Sequence, residues 1–233
     1  MKYRLTLLSS LLAIFLFAKT YTGSEAAKLV PGADKIIVDD KRQTFSFVHY
    51  GTQPVSGDHN VFLKQLLGAS NDVSFELYAT DPDQLGWTNY RYRQLYKNVR
   101  VEGAVYYVHT KAGMIISVNG EYYSGISANI NATITISAAV LTAKNDLKSL
   151  RLADEKQLEA PVLVLFRDAQ NKFHLCWKID AWSITPMERF YYFIDANSGK
   201  ILAKNARLCD IDAQGTAATG FNGTQTITTD STS

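Results

Sequence analysis

Apolar positions divide the chain into one unbroken run followed by two stretches in which helical and strand periods alternate. Residues 5–17 are apolar except for Thr6, Ser9 and Ser10, and Lys2 and Arg4 precede them. A basic start, an apolar run of roughly 7–15 residues and a small or polar exit (Ala18, Thr20, Thr22, Gly23) make a secretory leader, whereas a membrane-spanning helix needs about 20 apolar residues. Beyond the leader, 35–38 and 44–50 read as short strands. Asp58 can cap a helix over 59–67, its carboxylate accepting from the free N–H groups of the first turn. Phe62, Leu63, Leu66 and Leu67 share one face of that helix, and Gly68 suits its end. Residues 73–79 predict a strand. Across 86–123 the period is two: Tyr90, Tyr92 and Tyr96 alternate with Arg91, Arg93 and Lys97, setting an aromatic face against a basic one. Strands over 104–109 and 114–119 flank a Lys111-Ala112-Gly113 turn.

The second stretch repeats the plan. Ser137 is placed to cap a helix running to about Leu150, with Val140, Ala143, Leu147 and Leu150 on its buried stripe. Strands follow over 162–167, 173–182 and 189–195, and the Ala196-Asn197-Ser198-Gly199 turn leads into a last one over 200–203. A helix on a curled antiparallel sheet, twice over, predicts an α+β fold. After Ala213 small polar residues dominate, with Phe221 and Ile227 the large apolar exceptions, the composition of a disordered tail.

Composition sharpens two points. Lys2, Arg4 and Lys19 belong to the leader, and without them the 24 basic side chains fall one short of the 22 acidic ones. A near-neutral chain gives no electrostatic case for nucleic acid. The Tyr/Arg alternation over 90–97 does not supply one either, because rings and bases face opposite ways. The two cysteines, Cys176 and Cys209, are too few for a disulfide framework. Export permits their pairing, but Cys176 shares a strand face with His174 and Lys178, and two unrelated thiols is the preferred reading. Asp81-Pro82-Asp83 lacks the spacing and glycine of a calcium loop.

Three segments carry a resemblance. Gly86, Asn89, Arg91, Tyr92, Gln94, Tyr96, Val99 and Val101, followed by Val108-His109 and Ser117-Val118-Asn119-Gly120, resemble the fungalysin–thermolysin propeptide module. Asn98 stands where that family's turn has glycine, a mild departure because asparagine tolerates left-handed backbone. Leu175-Cys176-Trp177-Lys178-Ile179 and Phe193-Ile194-Asp195-Ala196-Asn197-Ser198-Gly199-Lys200-Ile201-Leu202 resemble the PepSY module. The stretch from Gly215 to Gln225 is similar to the first hairpin of a thermolysin-like catalytic domain, which turns the tail into a truncated β-hairpin.

The resemblance implies a signal peptide over 1–22, a fungalysin–thermolysin propeptide module over 23–125 and a PepSY-like module over 126–206. A processing linker and the start of a catalytic domain would fill 207–233. It further implies a secreted protease propeptide, an intramolecular chaperone and inhibitor whose partner is the cognate metalloprotease catalytic domain. Zinc, with calcium, is expected only in that domain. Zinc chemistry of this type needs His-Glu-x-x-His, but His49, His59, His109 and His174 are followed by Tyr50, Asn60, Thr110 and Leu175, so the chain itself is not expected to be an enzyme. Thermolysin-like enzymes favour a bulky apolar residue after the cut, which makes Arg207–Leu208 and Asp210–Ile211 the candidate processing bonds. The alternative is a free-standing secreted PepSY-type inhibitor or binding module.

Overall fold

The computed structural model describes residues 18–51, 53–207, 212–219 and 223–230. The apolar run of the expected leader, with Leu208, Cys209, Asp210 and Ile211, lies outside the described residues. In chain order the elements are β1 (Lys19–Thr22), α1 (Ser24–Leu29), β2 (Lys35–Asp39), β3 (Thr44–His49), α2 (His59–Leu66), β4 (Val73–Pro82), β5 (Trp87–Tyr96), β6 (Val99–Lys111) and β7 (Met114–Gly120). There follow α3 (Ile136–Leu147), β8 (Arg151–Leu152), β9 (Val162–Arg167), β10 (Phe173–Thr185), β11 (Glu188–Asp195), β12 (Ile201–Ala206), β13 (Asp212–Thr219) and β14 (Gly223–Asp230). The fold is α+β, mostly antiparallel strand with few helices. It forms two compact units, one of residues 1–94 with 103–125, the other of 95–102 with 126–233.

In the first unit the strand order is β1-β2-β3-β7-β6, with β5 joining β6 to β4. Residues 19–22, expected in the polar exit of the leader, form strand β1, with Lys19 opposite Val38 and Thr22 opposite Lys35. Two short helices stand here where the apolar pattern predicts one. In α2 the cap is as expected: the Val61 N–H donates to Asp58 Oδ1 at 2.9 Å, and Leu63 is fully buried. The two-residue period of β5 puts Tyr92, Gln94 and Tyr96 inside. Lys97 leaves that period: with φ 47° beside Asn98 at φ 64°, it forms the turn rather than extending the basic face. Two left-handed residues are what a tight two-residue hairpin requires.

The second unit is built on β9-β10-β11-β12, all antiparallel, with β8 added against β10. The start of β6 pairs with β9 in parallel, Arg100 opposite Val164 and Val101 opposite Leu165. The cap of helix α3 lies two residues before the expected one: Thr135 Oγ1, not Ser137, accepts from the Ala138 N–H at 3.2 Å. It ends at Lys148, whose φ of 50° turns the chain away, so Leu150, expected on the buried stripe, is 86% exposed. Ala139, Ala143 and Leu147 pack on Ile179, Ala181, Tyr192 and Ile194. The other sheet face is also closed, by Val164, Cys176 and Phe193. Cys176, on the strand face shared with His174 and Lys178, is therefore a fully buried free thiol, and burial pushes it up to about 12.

The β11–β12 turn is held by Asp195, whose Oδ1 accepts from the N–H groups of Asn197 (3.0 Å) and Ser198 (2.7 Å). Gly199 supplies the positive φ of 72° there. Residues 212–230, whose composition reads as a disordered tail, contain a two-stranded antiparallel ladder, Asp212 opposite Asp230 through Thr219 opposite Gly223.

Candidate functional site

The strands β4 to β7 hold their side chains through buried polar links rather than apolar packing alone. Gln94, 1% exposed, clasps the backbone of Tyr123 in both directions. Its Nε2 donates to the carbonyl at 2.7 Å and its Oε1 accepts from the N–H at 3.0 Å. A side-chain amide carries the donor and the acceptor on two adjacent atoms, as this clasp requires. The buried Tyr106 hydroxyl donates to the Phe45 carbonyl at 2.6 Å. His109 lies between the amide oxygens of Asn89 (2.6 Å) and Asn119 (2.5 Å), tying three strands. On the basic face, Arg93 stacks 4.0 Å from the Tyr78 ring centre and Arg91 pairs with Asp81 at 2.8 Å. Both bases are thus engaged within the fold.

The exit of the second unit is built around a buried acid. Asp180 lies opposite Tyr191 in the β10–β11 ladder, which sets Arg189 diagonally on the same sheet face. The Asp180 carboxylate is wholly inaccessible and takes four hydrogen bonds. Arg189 donates from Nη2 (2.6 Å) and Nε (3.0 Å), Arg207 from Nη1 (2.9 Å) and Glu159 from its N–H (3.0 Å). Burial alone would raise this carboxyl, but the bonds from Arg189, Glu159 and Arg207 outweigh it and hold it below the usual carboxylate range. Arg207 also reaches Glu159 Oε1 at 3.0 Å and stacks 4.2 Å from the Tyr191 ring centre, while its N–H donates to the Arg189 carbonyl at 2.8 Å. The Tyr191 hydroxyl closes the ring on Glu159 at 2.5 Å. Burial and that carboxylate push the phenol up to about 12. Two guanidinium groups face two carboxylates, so the cluster is neutral and satisfied.

Of the residues expected at the processing bond, only Arg207 is described, and it is bound into this cluster rather than free in a linker. Asp180, Arg189, Glu159 and Tyr191 were not expected from sequence. The available signal was an acid in mid-strand between Ile179 and Ala181. His174 is likewise engaged, 2.7 Å from Asp168 and 3.5 Å from Asp195. Among the described residues no group of three or more His, Cys, Asp and Glu could hold a metal ion. No helix among them is long and apolar enough to cross a membrane.

The fungalysin/thermolysin propeptide motif matches residues 73–122, which spans β4 through β7 with Gln94 and the His109 links and stops one residue short of Tyr123. Thermolysins of Alicyclobacillus acidocaldarius subsp. acidocaldarius, Bacillus caldolyticus and Bacillus sp. strain EA1 are each 29% identical to the chain over 150 residues, covering 59% of it and 26% of the relative. The chain thus spans about a quarter of the length of the curated relatives it matches. Motif and relatives together support an N-terminal propeptide region of a thermolysin-like protease. Among solved structures, the Bacillus megaterium YpeB C-terminal domain aligns over 74% of this chain and 81% of its own, at 11% identity and a TM-score of 0.37; a likeness that loose carries no argument.

Proposed function

We propose that this chain is the propeptide of a secreted thermolysin-like zinc metalloendopeptidase and acts as intramolecular chaperone and inhibitor of its catalytic domain. The observation that carries this reading is the propeptide motif over 73–122, laid on a strand set fixed by the buried Gln94 and the half-buried His109. On this reading 23–125 and 126–206, the latter PepSY-like, are the two prodomain modules, and 207–233 holds the linker and the first hairpin of the enzyme. Zinc and calcium belong to the catalytic partner. The physical logic is mass action: a folded partner that binds only the native-like state of a slowly folding, non-local β-rich domain favours that state. While covalently attached it acts at a high effective concentration, which cleavage removes.

The test is to refold a denatured thermolysin-like protease with and without the purified 233-residue chain and to titrate the chain against the native enzyme. Recovery of activity raised several-fold and inhibition at or below micromolar concentration are expected. Neither effect at micromolar chain would overturn the reading.

A further inference from the structure

The Arg207 cluster bears on where such a chain can be cut. An endoprotease needs several consecutive residues around the scissile bond presented as a free extended strand, and trypsin also lodges the side chain before that bond. Arg207 offers neither. Its guanidinium is held by Asp180 and Glu159 and lies on the Tyr191 ring. Its N–H is bonded to the Arg189 carbonyl, and Ala206, Asn205 and Lys204 before it are laddered to Phe190, Tyr191 and Tyr192. Presenting Arg207 would strip the last strand from the sheet and leave the buried Asp180 carboxylate short of a charged partner, which is strongly disfavoured.

We propose that this cluster is a processing guard: it withholds the Arg207–Leu208 bond from proteolysis and places the propeptide junction beyond it. The second half of this statement rests on the propeptide reading; the first does not. Of the two candidate bonds, the guard removes the one at Arg207. Hydrolysis there adds water across the amide, leaving a carboxylate on Arg207 and an amine on Leu208, and it proceeds only from the opened state. Cleavage then follows the population of that state, and each charge-assisted hydrogen bond shifts such an equilibrium by roughly tenfold or more.

Trypsin cuts after arginine and lysine, so limited digestion of the full chain reads the guard directly, with the exposed Lys156 site as the internal reference. Initial cleavage after Arg207 is expected to be at least roughly tenfold slower than after Lys156. Glu159→Gln, which removes one anchor but leaves Asp180 with both arginines, raises the Arg207 rate several-fold. Arg207→Lys keeps a trypsin site and the charge but loses the fork, and raises it roughly tenfold, with the far-ultraviolet circular dichroism spectrum unchanged. Equal wild-type rates at the two sites overturn the guard, and so do variants that leave the Arg207 rate where it was. A second digestion uses a thermolysin-type protease, with new N-termini mapped by mass spectrometry. The first terminus produced in the linker is expected beyond Leu208; Leu208 itself as that terminus refutes the proposal. A guarded bond in a chain that neither inhibits nor assists refolding would leave the guard standing and remove the propeptide reading alone.

Discussion

Replacing Gln94 tests whether the polar links of β4 to β7 carry stability or only decorate it. Gln94→Leu keeps nearly the same volume in a site that is 1% exposed and deletes both bonds to the Tyr123 backbone, made at 2.7 and 3.0 Å. Each hydrogen bond is worth about 1 kcal/mol net, and up to about 3 kcal/mol when the abandoned partner is shut off from water. Two such losses, partly offset by burying the new apolar side chain, leave a net cost of about 2 kcal/mol. Urea denaturation followed by circular dichroism measures it, with hydrogen exchange at the Tyr123 amide assigning the loss to this site. A midpoint within about 0.5 kcal/mol of wild type, the range of ordinary surface changes, would refute the reasoning. Gln94→Glu adds a signed check. At neutral pH the carboxylate still accepts from the Tyr123 N–H but turns a second acceptor on its carbonyl, and burial raises the folded-state pKa above the unfolded value. The deficit is therefore absent below the unfolded pKa and grows as pH rises through the folded one. A deficit that is the same at acid and neutral pH would contradict this assignment.

Three further outcomes follow from the geometry. Gly120, at φ 150°, has the Val105 carbonyl oxygen 2.2 Å and Tyr106 Cα 2.7 Å from where a Cβ would stand, so Gly120→Ala must shift backbone and is expected to cost about 2 kcal/mol or more in thermal or urea unfolding. The Cys176 thiol, pushed up to about 12 by burial, should stay unmodified by iodoacetamide at pH 8 in the folded chain and label fully in denaturant, as peptide mapping would show. The depressed Asp180 carboxyl contributes stability that is present above its unfolded value of about 3.9 and is lost as pH falls through the lower folded one. Asp180→Asn should therefore cost about 3 kcal/mol or more at pH 7, where two arginines lose their shared charge, and lose less at pH 3; a cost that rises towards acid would contradict this.

Much of the fold could be read from period and punctuation, because β10 alternates, β9 and β11 are short apolar runs and the turns carry Asn98, Gly113 and Gly199. What failed has local causes. Thr135 and Ser137 are both able caps, and only the chain's approach from Ile134, whose N–H is bonded to the Ala196 carbonyl, decides between them. Leu150 continues the helical stripe in sequence, but the left-handed Lys148 ends the helix before it. Cys176 sits on a face that alternation marks as half-solvent, yet that face is covered by side chains from neighbouring strands. The Asp180 cluster was illegible for the same reason. Its members come from β10, β11, the loop before β9 and the end of β12, and no spacing in one dimension links Glu159 to Arg207. The Gln94 link was half legible: its place in the motif marked it, but its partner at Tyr123 lies two strands further on.

The parallel pairing of Arg100 and Val101 with Val164 and Leu165 makes the second unit discontinuous in the gene. A piece cloned from residue 126 onward would omit the short segment that flanks β9 and expose the hydrogen-bonding edge of its Val162-Leu163-Val164-Leu165-Phe166 run, a sticky template for another copy. During synthesis, too, 95–102 emerges well before the strand it must meet, so the second unit cannot close until β9 has been made. Dissection of this chain therefore has to follow its ladders, and an N-terminal boundary for the second unit belongs before residue 95.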